Sequence, residues 1–275
     1  MPETSGEVLW TSGREQGHLR TLGVGGIFLA VGFAVVGTIG LVARDFVLAQ
    51  EPVPQGIPWR ESLAFASGGL LLLTGVGLLI PRAARLSALA LAAFLLLWVI
   101  ALQVPRAVAH PLVEAYWLGV GEDLTLVAGG WIVYCAIAGR DDASLRFARL
   151  VFGLALVPIG LSHFFYLQGA AELIPTWFPF RVPLTLFTGA AHIAAGVAIV
   201  FGIVPRLAAT LEAVMQSLFT LIVWVTAVVN APMNRQHWAN LFISTALSAA
   251  AWALAKSYRN EPWGLTPTKR RRAPR

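Results

Sequence analysis

Three polar side chains interrupt long apolar stretches in the C-terminal half of the chain: His192, Glu212 and Gln216. An imidazole, a carboxylate and an amide can share a proton, bridge two helices or grip the head of a ligand. Inside lipid such groups are expensive and point to function by default. His192 lies about 12 residues from the inner end of its apolar run, roughly 18 Å in, and Gln216 about 11 residues from the inner end of the next, roughly 16 Å in. A tight turn joins the two runs, so the pair sits at similar depth on antiparallel neighbours. Glu212 is one helical turn from Gln216 on the same face. Two readings fit: an interhelical hydrogen bond from His192 to Gln216 or Glu212, or a ligand or proton site. Haem ligation by His192 and His163 is disfavoured, because His163 is expected nearer the outer surface. His163 alone reads as an interface histidine or as the mouth of a pocket.

Other candidates sit at the outer ends of the runs. Glu122 and Asp123 read either as solvated carboxylates or as an acidic lining of an outer vestibule, paired with Arg106 or Arg44. Glu172, Trp177 and Arg181 form an aromatic and charged segment, either an interfacial anchor or a lid over a lipid-soluble ligand. His18, His110 and His237 show no metal-ligand spacing, and no metal site is expected. The one cysteine, Cys135, allows no intrachain disulfide and no CxxC pair, and it reads as packing. There is no P-loop, no HExxH and no CxxCH, and no nucleophile–base pair.

The elements that must carry these residues follow from composition. Of 275 residues, 57% are hydrophobic and only 12% charged, about half the charge density of a soluble domain. Mean hydropathy is +0.71. Neither a soluble enzyme nor a disordered chain has this composition. A bilayer core of about 30 Å needs about 20 apolar residues per helix. Suitable runs occupy residues 21–43, 62–80, 86–104, 124–139 (lengthened toward Tyr116), 150–171, 182–204, 207–229 and 236–255. None alternates as a barrel strand would. The first run is too long for the core of a cleavable signal, so it reads as an uncleaved helix. With both termini inside, the inner segments hold 15 of the 20 basic residues and the outer segments 5. That asymmetry places both termini in the cytoplasm. It also accounts for the net charge of +6 through bilayer topology rather than nucleic-acid binding. The cluster Lys269–Arg272 reads as a stop signal on anionic lipid or as a contact for a cytosolic partner.

The chain also matches itself at an interval of 121 residues. Pro58-Trp59-Arg60 meets Pro179-Phe180-Arg181, Gly68 meets Gly189, Gly75 meets Gly196, Trp117 meets Trp238 and Trp131 meets Trp252. Pro81-Arg82 and Pro205-Arg206 match at 124, and Ile39-Gly40-Leu41 matches Ile159-Gly160-Leu161. On these matches Leu71, Ala88 and Ala92 stand opposite His192, Glu212 and Gln216, so the polar set belongs to the second copy alone. Each copy has an even number of spans, so both enter the membrane in the same direction, related by an axis along its normal. The expected fold is all-α: eight transmembrane helices as two tandem, parallel four-helix bundles. The divisions are an N-terminal segment 1–20, repeats 21–139 and 150–255, a linker 140–149 and a basic tail 256–275. Glycines stud the first two spans, where they permit close helix contact or serve as hinges.

The second copy reads Gly160-Leu161-Ser162-His163, then Leu173-Ile174-Pro175-Thr176-Trp177-Phe178-Pro179, then Thr188-Gly189-Ala190-Ala191-His192-Ile193-Ala194-Ala195-Gly196, then Pro205-Arg206-Leu207-Ala208-Ala209. This resembles the DoxX family of four-helix bacterial membrane proteins, and in particular its duplicated branch. The resemblance covers 146–255 and, through the repeat, 21–138. It implies a bacterial inner-membrane subunit, in some members linked to quinone-dependent sulfur oxidation or redox-stress complexes, hence a possible quinone and a redox partner subunit. Many members carry an acidic residue where this chain has His192. Three functions remain open: a quinone-linked membrane subunit or binding module with tentative ligand contacts His163, His192, Glu212, Gln216 and Trp177; a small-molecule carrier using the same residues; and a structural or assembly protein without ligand.

Overall fold

The computed structural model describes residues 4–47 and 50–265, with side chains from Gln16 onward; the basic cluster at 269–272 lies outside them. The described residues form nine helices and no strand: α1 (Thr4–Ala43), α2 (Arg60–Leu79), α3 (Ala84–Ala109), α4 (Glu114–Ala138), α5 (Ala143–Phe165), α6 (Leu167–Leu173), α7 (Arg181–Phe201), α8 (Pro205–Asn230) and α9 (Arg235–Ser257). All but the short α6 are long and apolar enough to cross a bilayer, α1 doing so over Gln16–Ala43. The polar segment 1–20 is helical from Thr4 onward, which its polarity had hidden. Gly23, with φ 64°, breaks α1 sharply. Such a break frees carbonyl groups of the preceding turn, and the Lys256 ammonium donates to those of Arg20 (2.8 Å) and Thr21 (2.5 Å).

The helices close a ring in the order α1, α2, α3, α4, α5, α7, α8, α9 and back to α1, and α4 also meets α9 across the middle. This departs from two self-contained bundles. The first helix of each half packs mainly against the second helix of its own half and the fourth helix of the other, α1 on α9 and α5 on α4. The physical reason is visible at the seams. A Cβ on Gly32 of α1 would stand 3.1 Å from the Phe242 carbonyl on α9, and one on Gly121 of α4 would stand 2.7 Å from the Ala155 carbonyl on α5. These missing side chains let backbones touch, and in lipid that contact is what holds helices together. The central helices α4 and α9 are the most buried spans and share the lowest hydropathy. Helices surrounded by protein need small residues more than lipid-facing bulk, hence the glycines of α4 and the alanines and serines of α9.

Several features recur at an interval of about 121 residues. α3 widens into a π-helical turn at Val99–Gln103, and α8 at Thr220–Val225. Trp117 Nε1 donates to the Pro111 carbonyl (3.0 Å), and Trp238 Nε1 to that of Pro232 (2.8 Å). α2 and α7 start from the left-handed residues Trp59 and Phe180. On α3 the buried face includes Ser87, Ala88, Leu91, Ala92 and Leu95; on α8 it includes Ala208, Ala209, Glu212, Ala213 and Gln216. At the centre, a Cβ on Gly129 would lie 2.3 Å from that of Ala250, its own counterpart.

Candidate functional site

α7 and α8 run antiparallel through the turn at 202–204, which brings His192 and Glu212 level. His192 Nδ1 lies 3.0 Å from Glu212 Oε1 and 3.2 Å from Oε2, with both side chains almost entirely withdrawn from the surface. The contact is direct, and Gln216 is not needed to bridge it. Gln216 stands one turn along α8, buried, on the wall of the same cavity. A charge in the bilayer interior costs several kcal/mol, so the pair stabilises itself as a unit, imidazolium with carboxylate or imidazole with carboxylic acid. Either form spends Nδ1 on Glu212 and leaves Nε2 as the ring's remaining hydrogen-bonding atom.

His163 joins this pair. Its ring centroid is 5.3 Å from that of His192, the planes inclined at 47°. The approach depends on Gly189, where a Cβ would fall 2.7 Å from His163 Cβ. His163 Nδ1 lies 2.9 Å from the Ile159 carbonyl, which can only accept, so Nδ1 carries the proton and Nε2 is the free acceptor of the neutral ring. His163, read from the sequence as an interface histidine or the mouth of a pocket, lines the same cavity as His192. After α5 a single non-helical residue, Tyr166, leads into α6.

These residues line a cavity of about 970 Å³ bounded mainly by α5, α7, α8 and α9, with largely aliphatic and aromatic walls including Leu118, Phe178, Phe219 and Leu247. Trp177 is not on that wall. It is 64% exposed, its ring 5.7 Å from Phe178, which does line the cavity. By the π-turns and buried faces, Glu212 and Gln216 correspond to Leu91 and Leu95, not to Ala88 and Ala92. The Pro-Arg match misled by three residues because Pro81-Arg82 stand in a turn before α3, whereas Pro205-Arg206 open α8. Likewise Gly37, not Gly40, takes the role of Gly160: each faces a glycine carbonyl, of Gly68 and Gly189 respectively. Leu71, Leu91 and Leu95 are all fully buried core residues.

A second polar group reaches the cavity from the first half, and sequence reasoning missed most of it. Gln50 and Glu122 both line the cavity, and Gln50 Nε2 donates to Glu122 Oε2 (3.3 Å). Behind them Gln103 Nε2 donates to Asp123 Oδ2 (3.0 Å) and to the Gln50 carbonyl (3.3 Å). Glu122, half-buried on the cavity wall, and Asp123, fully buried, are therefore amide-paired, not paired with Arg106, which lies over the Tyr116 ring, or with Arg44, which bonds Glu61. Gln50 sits in an irregular segment with no periodicity to mark its direction, and Gln103 is turned inward by the π-helical turn. Neither signal is local to the residue.

Glu51, in the same segment between α1 and α2, accepts a hydrogen bond from Ser67 Oγ and one from the Val47 N–H (3.2 Å). Burial pushes its carboxyl up to about 7; those two hydrogen bonds oppose the rise and nearby Asp45 adds to it. A carboxyl raised in the folded state keeps its proton there when the unfolded chain has lost it. The stability it contributes is complete below about pH 4.5 and disappears as the pH rises through about 7. The melting temperature is expected to fall across that interval, by the equivalent of about 3 kcal/mol at most, and Glu51→Gln is expected to flatten the decline. An unchanged pH profile in that variant would refute the assignment.

Among the described residues, no three His, Cys, Asp or Glu side chains converge as metal ligands. The chain matches no protein-family model, no curated protein and no solved structure.

Proposed function

We propose that this chain is a membrane-embedded binding module whose cavity takes a lipid-soluble molecule with a hydrogen-bonding head, of the quinone class. The observation that carries this reading is the convergence of His163, the His192–Glu212 pair and Gln216 on one wall of a large apolar cavity. A neutral imidazole Nε2 accepts a quinol hydroxyl, a protonated imidazole donates to a quinone carbonyl, and the apolar walls suit a hydrocarbon tail. The choice of the quinone class among such molecules rests on the DoxX resemblance. Electrons for any redox cycle would come from a partner subunit. The test is organic extraction of the purified protein with mass spectrometry and an ultraviolet spectrum. A quinone near one per chain is expected; phospholipid alone would refute the reading.

A carrier is the second reading, favoured by one observation: the cavity has polar groups from both halves, Gln50 and Glu122 as well as the histidines. It predicts flux of a solute in liposomes that depends on His192.

The same proposal includes a duplicated DoxX-like origin. Its support is the recurrence of π-turns, tryptophan hydrogen bonds and left-handed helix starts at one interval, together with the contact of Gly129 with its counterpart Ala250. A residue meeting its own equivalent is the mark of an isologous interface at a two-fold axis. We place the chain in a bacterial inner membrane on the DoxX resemblance, with both termini cytoplasmic on the distribution of Lys and Arg. A reporter fused after Arg275 is expected to read cytoplasmic, and one inserted at Gln55 external. A C-terminus on the outer side would sink that topology.

A further inference from the structure

A second concavity, of about 310 Å³, opens between α1, α8 and α9 at the end of the molecule where α8 begins and α9 finishes. Its wall carries Arg206, Lys256 and Arg259, with Thr210 and the indoles of Trp252 and Trp263, and, among the described residues, no acidic side chain. Among the described residues, none of the three cations has a carboxylate within 4.0 Å; the ion pairs there all lie elsewhere. What holds Arg206 and Lys256 is neutral. Arg206 Nη1 donates to the Glu261 backbone carbonyl (3.1 Å), and the guanidinium lies 4.0 Å over the Trp263 ring. Lys256 spends two of its donors on the carbonyls that the Gly23 break releases. These contacts position Arg206 and Lys256, and among the described residues no carboxylate pairs with any of the three cations. The first turn of α8, which contains Arg206, adds the positive end of a helix dipole.

We propose that this pocket binds the phosphate of an acidic glycerophospholipid. Three like charges around so small a concavity repel one another, and a single phosphate, with several acceptor oxygens, neutralises and bridges them. A lipid fits better than a free anion for two reasons. Val24, also on the pocket wall, is an apolar residue left 61% exposed beside it on a membrane-spanning helix, offering a path for acyl chains. The two indoles are the side chains that favour the depth of lipid headgroups. The pocket is separate from the histidine cavity and does not depend on what that cavity holds.

Native mass spectrometry of the full-length protein tests this, with titrations of phosphatidylglycerol, phosphatidylcholine and inorganic phosphate. One phosphatidylglycerol is expected to be retained in clear preference to phosphatidylcholine, and millimolar phosphate is expected not to displace it. The Arg206→Gln/Arg259→Gln variant is expected to weaken retention roughly twenty-five-fold, about fivefold for each basic residue. The single variant Arg259→Gln, which disturbs no side-chain hydrogen bond of the pocket, should lose about fivefold and serves where the double variant fails to fold. Equal retention of the two lipids, or full retention by Arg259→Gln, would overturn the proposal. Displacement by phosphate alone would overturn the choice of a lipid and leave a free-anion site.

Discussion

Replacing His192 with leucine is expected to strip the cavity of its ligand and to destabilise the protein sharply, for separable reasons. Ligand retention fails because the imidazole Nε2 is gone. Stability fails because Glu212, 1% exposed, is left as a buried carboxylate without its partner. Breaking a buried pair from one side costs about 3–5 kcal/mol. The triple variant His192→Leu/Glu212→Leu/Gln216→Leu separates the two effects. It writes into the second half the leucines that the first half carries at Leu71, Leu91 and Leu95, all fully buried. It is expected to recover most of the melting temperature while remaining empty on extraction. A triple variant that still retains the ligand would show that the trio is structural. Recovery of stability by Glu212→Gln alone, with His192 intact and ligand bound, would show that the carboxylate is dispensable.

The second large effect concerns the seam between α1 and α2. Gly75→Leu is expected to abolish accumulation of folded protein. A Cβ there would stand 2.6 Å from the Ala34 nitrogen, 2.7 Å from the Ala30 carbonyl oxygen and 2.9 Å from Ala34 Cα. All three are backbone atoms, so no rotamer change relieves the clash and the helices must separate. Overpacking usually costs about 1–3 kcal/mol, and a whole leucine against backbone belongs at or above the upper end. Gly69 is the control. It lies in the same helix, and a methyl group added to it would meet nothing within 4 Å, so Gly69→Ala should be neutral or slightly stabilising. Equal behaviour of the two variants in a thermal-shift assay would refute close backbone contact as what holds this seam.

The sequence determined the number of spans, the helical class and the two residues of the central pair. These follow from local quantities: runs of about 20 apolar residues, the cost of a charge in lipid, and the short turn that brings His192 and Glu212 to one depth. It also carried the interval of 121 residues at Trp59 and Trp117, whose left-handed helix start and indole hydrogen bond recur at Phe180 and Trp238. Tertiary structure decided the rest. That α1 packs on α9 and α5 on α4 depends on which glycine faces which backbone across the ring, and a run of apolar residues does not encode its neighbour. The approach of His163 to His192 needs Gly189 beneath it. Gln50 and Gln103 turn inward through an irregular segment and a π-helical turn, neither with a period to read. Trp177, selected for its chemistry, is turned out of the cavity while its neighbour Phe178 lines it. Where burial is set by distance along one helix the residues alone suffice; where it is set by contact between distant helices, only the folded arrangement fixes which side chains meet.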